Sequence, residues 1–280
     1  MPTTTSSDEP GLVRAIGVRG LTASIVNVTI GAGIFVLPAV ASAGLGAAAP
    51  IAYVVCAVLM ALIVSCFAAA GSRVSLTGGV YAYVETAFGP FVGFLAGVLY
   101  FLMSTFAVAS VSNALAGSIG ALWPPAASPA VRAIVIAGLF AVLAIVNVRG
   151  VTGGVRVVEI VAVAKLLPLL ILVAGGIWLV NPVYLRWPGL PDAAAIGKTA
   201  IVLIFAFVGL EVALVPSGEV RDPARTVPRA LFSALAITTT LYLLIQTVAQ
   251  GLLGESMANY APGSRLRQAV RSCRDRKSVV

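Results

Sequence analysis

Histidine is absent from this 280-residue sequence, charged residues make up only 10% of it, and three cysteines occur. Without histidine, and with no cysteines at metal-ligand spacing, we expect no metal site and no cofactor. Cys56 and Cys66 share one apolar run, where a helix would hold them roughly 15 Å apart, too far for a disulfide. So little charge excludes a soluble domain, in which about a quarter of the residues are charged.

The sequence consists largely of long apolar runs. Hydrophobic residues account for 60% of the chain, and the mean hydropathy is +1.05. A helix needs about 20 apolar residues to cross a bilayer, and none of the runs alternates as a barrel strand would. The sequence therefore predicts an all-α, multi-pass membrane protein, a helical bundle in contact with lipid. The predicted spans are 21–45, 47–70, 91–119, 130–148, 155–180, 196–217 and 230–253.

The formal net charge of +8 does not indicate a nucleic-acid partner, because the basic residues lie in short clusters between apolar runs. One set of loops holds eight of them and the other holds three, which predicts a cytoplasmic amino terminus by the positive-inside rule. The first set is Arg14, Arg19, Arg73, Arg149, Arg156, Arg221, Arg225 and Arg229. The second set is Arg132, Arg186 and Lys198.

The carboxyl-terminal tail breaks this rule. Seven spans would leave it outside the cell, yet residues 265–277 are rich in arginine. We expect a cytoplasmic tail over residues 1–18, a transmembrane domain over 19–258 and a basic tail over 259–280. Two interpretations of the tail stay open: a truncated or frame-shifted product of a longer protein, or a genuine basic segment.

Glycines interrupt the first predicted span at Gly31 and Gly33. Two glycines around one small residue weaken a helix, and a break would free backbone N–H groups at mid-membrane. Irregular backbone is tolerated there only where it lines a cavity, and freed N–H groups at a helix end favour an anion such as a carboxylate. The alternative interpretation is close helix packing.

The sixth span contains an acidic residue, Glu211, two positions after Gly209. A charge at the bilayer centre costs at least about 2.5–3.5 kcal/mol, so such residues are usually functional or paired. We interpret Glu211 as a functional residue and Gly209 as a possible helix break. A buried, protonated glutamate bonded to a neighbour is the alternative.

The fifth span contains Lys165, about 15 Å from its predicted start at the helical rise. That depth leaves little scope for the side chain to reach either interface. Desolvation favours the neutral amine, which would allow proton exchange near neutral pH. A structural lysine bonded to backbone carbonyls remains open, and Pro168 is expected to kink the same helix.

Four segments, in this order and spacing, resemble amino acid permeases of the amino acid–polyamine–organocation superfamily. Residues 31–35 with Leu37-Pro38 resemble the first-helix motif, and residues 205–211 resemble the sixth-helix motif. Residues 219–230 resemble the cytoplasmic loop that follows, and residues 78–83 resemble the loop before the third helix. The resemblance covers about Gly17 to Tyr260. Unlike many members, the chain lacks a proline just before the paired glycines at 78–79.

The resemblance implies a LeuT-type five-plus-five inverted repeat. Members typically have about twelve helices, with the substrate held between broken helices near the midplane. This chain would contain the first repeat and two helices of the second, so we expect it to be truncated after the seventh helix.

The resemblance also implies roles for individual residues. The substrate carboxylate would meet backbone N–H groups at Gly31, Ala32, Gly33 and Ile34. Its amino group would meet carbonyls near Phe205, Ala206 and Val208, with Gly209 at the break and the Phe205 ring over the substrate. Ser104 and Thr105 are implied as side-chain contacts. Lys165 and Glu211 are the coupling residues, Lys165 standing where sodium-coupled relatives bind an ion.

Secondary active transport of an amino acid or related amine across the cytoplasmic membrane, coupled to protons or to exchange, is the leading hypothesis. The alternative is a fragment that inserts in the membrane without transporting, because it lacks helices that close the site. A membrane enzyme is disfavoured, since no nucleophile–base set or paired carboxylates occur. A channel is disfavoured because no ring of charges or filter loop is evident.

Overall fold

The structure is a computed structural model that describes residues 15–74, 78–123, 125, 128–148, 151–187, 189–211, 214–215 and 217–260. Over these residues it contains nine α-helices joined by short loops and 3₁₀ turns. They are α1 (Val18–Thr29), α2 (Leu37–Leu45), α3 (Ala49–Gly71), α4 (Val80–Phe88), α5 (Pro90–Leu122), α6 (Pro129–Val148), α7 (Val151–Gly176), α8 (Ala193–Ile204) and α9 (Pro223–Leu253).

Five of the helical segments are long and apolar enough to cross a membrane. They are Leu37–Gly71, Pro90–Gly120, Pro129–Val146, Ile160–Leu179 and Pro223–Tyr260. The predicted first and sixth spans are the two that are not continuous helices, since α1 and α8 have only twelve residues each. The protein is thus an all-α membrane protein, as the sequence predicts.

Several boundaries differ from the sequence-based expectation. The segment that resembles a loop before the third helix becomes helical at Val80, where α4 begins. α7 is one helix from Val151 to Gly176 that includes Pro168, and the kink expected there stays a prediction. α9 begins at Pro223, well before the predicted start of its span at residue 230, because a proline is compatible with the first turn of a helix. The predicted basic tail from residue 261 onward, with Cys273, lies outside the described residues, as do residues 1–14.

The chain divides into two compact units, residues 1–93 with 172–280 and residues 94–171. The core of the first unit forms where α9 packs against α1 and α3, and α8 packs against α2 and α3. Fully buried apolar side chains fill these contacts, among them Leu21, Ile25, Tyr53, Leu203, Leu231 and Tyr242.

A short backbone bridge connects the start of α1 to the loop before α9. Ile16 and Val220 form an isolated parallel β-bridge. The Ile16 N–H donates to the Glu219 carbonyl at 3.0 Å, and the Arg221 N–H donates to the Ile16 carbonyl at 2.9 Å. The loop itself is held to α9, since the Thr226 hydroxyl donates to the Arg221 carbonyl at 2.6 Å. These bonds fix the start of α1 to the loop between α8 and α9, and that loop to the start of α9.

α4 lies outside the five long apolar segments and carries its own polar contact. The Glu85 carboxylate accepts a hydrogen bond from the Tyr81 hydroxyl, which stabilises the neutral phenol and raises the pKa of Tyr81. Glu85 also packs against Gly93, where an added Cβ would lie 2.5 Å from the Glu85 Cβ. The turn between α4 and α5 is therefore tightly packed.

The second unit contains most of α5, all of α6 and the larger part of α7. Large apolar side chains on these helices are exposed, including Phe101, Phe106, Ile134, Val142, Val161 and Ile171. Exposed apolar surface of this extent is what lipid or a further protein segment covers in a membrane protein. α5 and α6 border a groove with a cavity volume of about 450 Å³.

Candidate functional site

The first helix interruption lies between α1 and α2. α1 ends at Thr29, Ile30 leaves helical geometry with ψ 85°, and a 3₁₀ turn covers Ala32–Phe35. The N–H groups of Ala32 and Gly33 begin this turn, so they have no intrahelical acceptor, and neither finds a backbone acceptor within the described part of the chain. The interruption therefore offers two hydrogen-bond donors.

The second interruption follows α8. The helix ends at Ile204, a 3₁₀ turn covers Phe205–Phe207, and Val208 is extended with ψ 133°. Gly209 has a φ of +117°, a conformation that essentially only glycine adopts. Any residue with a Cβ would be strained at this φ, which explains why a glycine stands here.

The two interruptions touch each other. A Cβ added to Gly209 would lie 3.1 Å from Val28 Cγ1 and 3.3 Å from the Thr29 Cα, at the end of α1. A Cβ added to Gly33 would lie 3.7 Å from the Phe205 ring. The structure thus places the glycines and the aromatic residue of the two sequence motifs side by side.

Tyr242 on α9 links both interruptions through one hydroxyl. It lies 2.7 Å from the Ala206 carbonyl oxygen and 3.2 Å from the Thr29 carbonyl oxygen, close enough to donate to either. Its ring packs edge-on against Phe207, with centroids 5.3 Å apart, and the side chain is buried. The Thr29 carbonyl also accepts from the Gly31 N–H at 2.9 Å. The Ala206 carbonyl has no backbone donor among the described residues, so the hydroxyl replaces a missing donor there.

Sequence reasoning missed Tyr242. A usable signal was present, because polar residues recur every fourth position along an otherwise apolar span, and such positions share one helix face. The four are Thr238, Tyr242, Gln246 and Gln250. All four are buried in the structure. Buried polar groups in a membrane helix are costly without partners. Tyr242 bonds the interruptions and Gln246 and Gln250 bond Ser42, whereas the Thr238 hydroxyl has no partner among the described residues.

Glu211 lies at the second interruption itself. Its carboxylate oxygens accept from the Gly209 N–H at 3.1 and 3.3 Å, and the side chain is half-buried. The carboxylate therefore serves as the acceptor for a backbone group that the interruption leaves unpaired. Within the part of the chain that is described, no three His, Cys, Asp or Glu side chains are grouped so as to hold a metal ion.

The remaining predicted site residues belong to the second unit. Ser104 and Thr105 lie on α5 and border the groove of about 450 Å³ beside α6. The Thr105 hydroxyl donates to the Phe101 carbonyl one turn earlier, at 2.8 Å. Lys165 lies on α7 and is half-buried. Their roles at a common site stay predictions, as do those of the residues at the two interruptions.

Comparison with known proteins identifies the family. A family model described as "Amino acid permease" matches residues 16–267 of the chain, which include both interruptions and α9. The chain belongs to this amino acid permease family. The family description and the names of the relatives point to transporters and not to enzymes.

Three relatives show how similar this permease chain is to proteins named as transporters. The methylthioribose transporter of Bacillus subtilis is 28% identical, over 90% of this chain and 58% of the relative. The serine/threonine exchanger SteT of the same species is 26% identical, over 85% of this chain and 55% of the relative. An uncharacterised transporter of Mycobacterium tuberculosis, Rv1979c, is 26% identical, over 91% and 59%. The permease chain thus spans little more than half the length of these curated relatives.

Proposed function

We propose that this permease carries an amino acid or a related amine across the cytoplasmic membrane by secondary active transport, with its amino terminus in the cytoplasm. One observation supports this above the others. Two interrupted helices meet at Gly209 and Thr29, and a single buried hydroxyl bonds carbonyls of both. Discontinuous helices of this kind form the substrate sites of secondary transporters.

The first interruption supplies the donors for the substrate carboxylate. The N–H groups of Ala32 and Gly33 lack backbone acceptors among the described residues, and backbone donors at a helix end bind carboxylates. Gly31 and Ile34 flank these donors, but the Gly31 N–H already donates to the Thr29 carbonyl at 2.9 Å and Ile34 lies within the 3₁₀ turn. We therefore assign these two residues to shaping the turn and not to donating to the carboxylate. The carboxylate would complete the hydrogen bonding that the interruption leaves open.

The second interruption supplies acceptors for the substrate amine. A carbonyl oxygen has two lone pairs, so the Ala206 carbonyl can accept from an ammonium in addition to Tyr242. Phe205 and Val208 contribute the neighbouring carbonyls. The Phe205 ring is half-exposed and adjoins Gly33, which suits it to cover the substrate.

Energy coupling is the second part of the proposal. Lys165 and Glu211 exchange or position the proton that drives uptake, and Ser104 and Thr105 contact the substrate from α5. Exchange of one amino acid for another is the alternative, supported by the name of the serine/threonine exchanger among the relatives. Because one relative is named as a methylthioribose transporter, methylthioribose is the non-amino-acid compound to include in a substrate screen.

Uptake into proteoliposomes tests the proposal. The chain is reconstituted, and a radiolabelled pool of L-amino acids is offered with and without an inward proton gradient, or with unlabelled amino acids inside. Uptake that rises with the gradient supports proton coupling, and uptake that requires internal amino acid supports exchange. No uptake by well-inserted chain, while the Bacillus subtilis exchanger transports in parallel, would contradict transport by the chain alone.

A further inference from the structure

A second cavity of about 660 Å³ lies in the first unit, away from the helix interruptions. Its volume falls within the roughly 300–1,000 Å³ typical of small-molecule sites. It is bordered by the end of α2, the loop after α7 and the segment that follows α9. The polar and aromatic lining residues are Ser42, Tyr184, Arg186, Gln250, Glu255 and Ser256.

Opposite charges border this cavity without pairing with each other. Arg186 and Glu255 both line it, and no described residue forms an ion pair with either side chain. Arginine binds carboxylates through a planar fork of donors, and a glutamate accepts from ammonium groups. The cavity therefore presents one group for each end of an α-amino acid zwitterion.

The floor of the cavity is a buried polar cluster. The Ser42 hydroxyl bonds to the Gln250 side chain and accepts from the Gln246 amide at 3.1 Å. The Gln250 amide donates to the Gly254 carbonyl at 3.2 Å. The Gln246 side-chain oxygen is fully buried and has no donor among the described residues, and a buried acceptor of this kind is costly unless water or a ligand reaches it.

The wall of the cavity is firmly held. The Asn181 N–H donates to the Gly251 carbonyl at 2.9 Å, and the Asn181 side chain accepts from the Val183 N–H at 3.0 Å. A Cβ added to Gly254 would lie 3.0 Å from the Tyr184 ring. The loop that carries Arg186 is thus fixed against the end of α9, as a binding site requires.

A row of buried polar side chains on α9 runs from the cavity to the interruptions. Gln250, Gln246 and Tyr242 follow one another at single-turn intervals on α9, about 6 Å apart along the axis. Gln250 borders the cavity, and Tyr242 bonds the two interrupted helices.

We propose that this cavity is an outer binding site, which holds the substrate zwitterion before it reaches the helix interruptions. Arg186 binds the carboxylate, Glu255 binds the ammonium group, and Ser42 and Gln250 hydrogen-bond the polar atoms between them. The identity of the ligand rests on the proposed function, because it assumes an amino acid substrate. The site itself rests on the cavity and its charges.

Protection of an introduced thiol tests this proposal. Ser256→Cys is made in a Cys66→Ser, Cys273→Ser background of the full chain, and its labelling by a trimethylammonium methanethiosulfonate is timed in proteoliposomes. Cys56 remains because it is fully buried. We expect an equimolar pool of the protein L-amino acids to slow labelling about tenfold, whereas N-acetyl amino acids and amino acid methyl esters protect far less, because each lacks one charge.

Charge-removing variants decide the assignment. Arg186→Gln and Glu255→Gln should each remove most of the protection, and Lys198→Gln, a basic residue outside the cavity lining, should keep it. Each variant must label at the parent rate without amino acids, which shows an intact fold. Ala258→Cys, on the same cavity lining, provides a second reporter. Protection that persists in both charge variants would overturn the proposal.

Uptake measured on the same proteoliposomes separates this proposal from the proposed function. Uptake without thiol protection would reject the outer site and leave transport standing. Protection without uptake would reject transport by this chain and leave the outer site standing. Absence of both would reject both.

Discussion

The hydroxyl of Tyr242 lies 2.7 Å from the carbonyl oxygen of Ala206, although the two residues are on different helical segments. The same hydroxyl is 3.2 Å from the Thr29 carbonyl oxygen. This one hydroxyl therefore serves the Ala206 carbonyl, which lacks an amide partner, and reaches the Thr29 carbonyl, which also accepts from the Gly31 N–H at 2.9 Å. The stability of both interruptions should depend on this side chain.

Tyr242→Phe should destabilise the protein by about 1–3 kcal/mol, since it leaves the buried Ala206 carbonyl without a donor. We also expect slower uptake, because the interruptions lose the group that connects them. Thermal unfolding in detergent, followed by the exposure of buried Cys56 to a thiol-reactive fluorophore, measures the first effect. Initial uptake rates in proteoliposomes measure the second.

Tyr53→Phe is the matched control. The Tyr53 ring packs edge-on against that of Tyr242, 6.2 Å away between centroids, but its buried hydroxyl has no partner among the described residues. Removing an unsatisfied buried hydroxyl should leave stability unchanged or raise it. Equal losses in the two variants would contradict a specific role for the hydrogen bonds of the Tyr242 hydroxyl.

Gly209→Ala should strongly reduce both stability and uptake. The positive φ costs an alanine roughly 1–3 kcal/mol, and the new methyl group would lie 3.1 Å from Val28 Cγ1. Gly197→Ala is the control, since it lies in α8 with nothing within 4 Å of an added Cβ. Alanine in a helix interior is favoured over glycine by up to about 1 kcal/mol, so the control should be neutral or stabilising. Comparing the two melting temperatures checks both expectations.

Gly33→Ala should reduce uptake about tenfold, while Gly31→Ala should have a much smaller effect. An added methyl at Gly33 would lie 3.1 Å from Leu37 Cδ1 and 3.7 Å from the Phe205 ring, whereas at Gly31 nothing lies within 4 Å. Overpacking of this kind costs about 1–3 kcal/mol, and here the displaced groups line the proposed site. Concentration dependence of uptake measures the change. A larger loss at Gly31 would mean that backbone flexibility, not space, limits this segment.

Gly176→Ala should lower the melting temperature, and Gly175→Ala should not. A Cβ at Gly176 would lie 2.5 Å from Val248 Cγ1 on α9, whereas a Cβ at Gly175 meets nothing within 4 Å. The two glycines are neighbours in the same last turn of α7, so helix propensity acts equally on both. Differential scanning fluorimetry on the purified chain compares them. Equal shifts would contradict the close packing of α7 on α9.

Lys165→Met should abolish uptake against a concentration gradient if this lysine couples transport to protons. Methionine keeps most of the length of the side chain and removes the charge. Counterflow exchange, which needs no driving force, should survive. The comparison is made in the same proteoliposomes with and without an inward proton gradient. A variant that accumulates substrate like the parent would show that Lys165 has no coupling role.

Most of the fold follows from the sequence because a bilayer accepts few alternatives. Apolar length predicts the spans, and continuous helices such as α3 and α5 lie within the predicted ranges to within a few residues. Gly31 and Gly33 indicate where the predicted first span is interrupted, and Gly209 indicates where the predicted sixth span is interrupted. Both signals are local, since they depend on backbone preferences of single residues.

The partners of those interruptions are harder to predict. Tyr242 is more than 200 residues from Thr29 in the chain, at a separation of 213, and only three-dimensional packing shows that they meet. Ser42, Gln246 and Gln250 likewise form one cluster through contacts of more than 200 positions. Helical spacing shows that the α9 residues share a face, but not what that face meets.

The bridge between Ile16 and Val220 has a mechanical consequence. α1 cannot swing away from residues 219–221 without breaking the two backbone hydrogen bonds of the bridge. At a net value of about 0.5–1.5 kcal/mol for each bond, their combined loss would restrict a separated state to between roughly one molecule in six and one in 160. A rotation of the amino-terminal helix is therefore transmitted through two backbone hydrogen bonds to the loop that leads into α9.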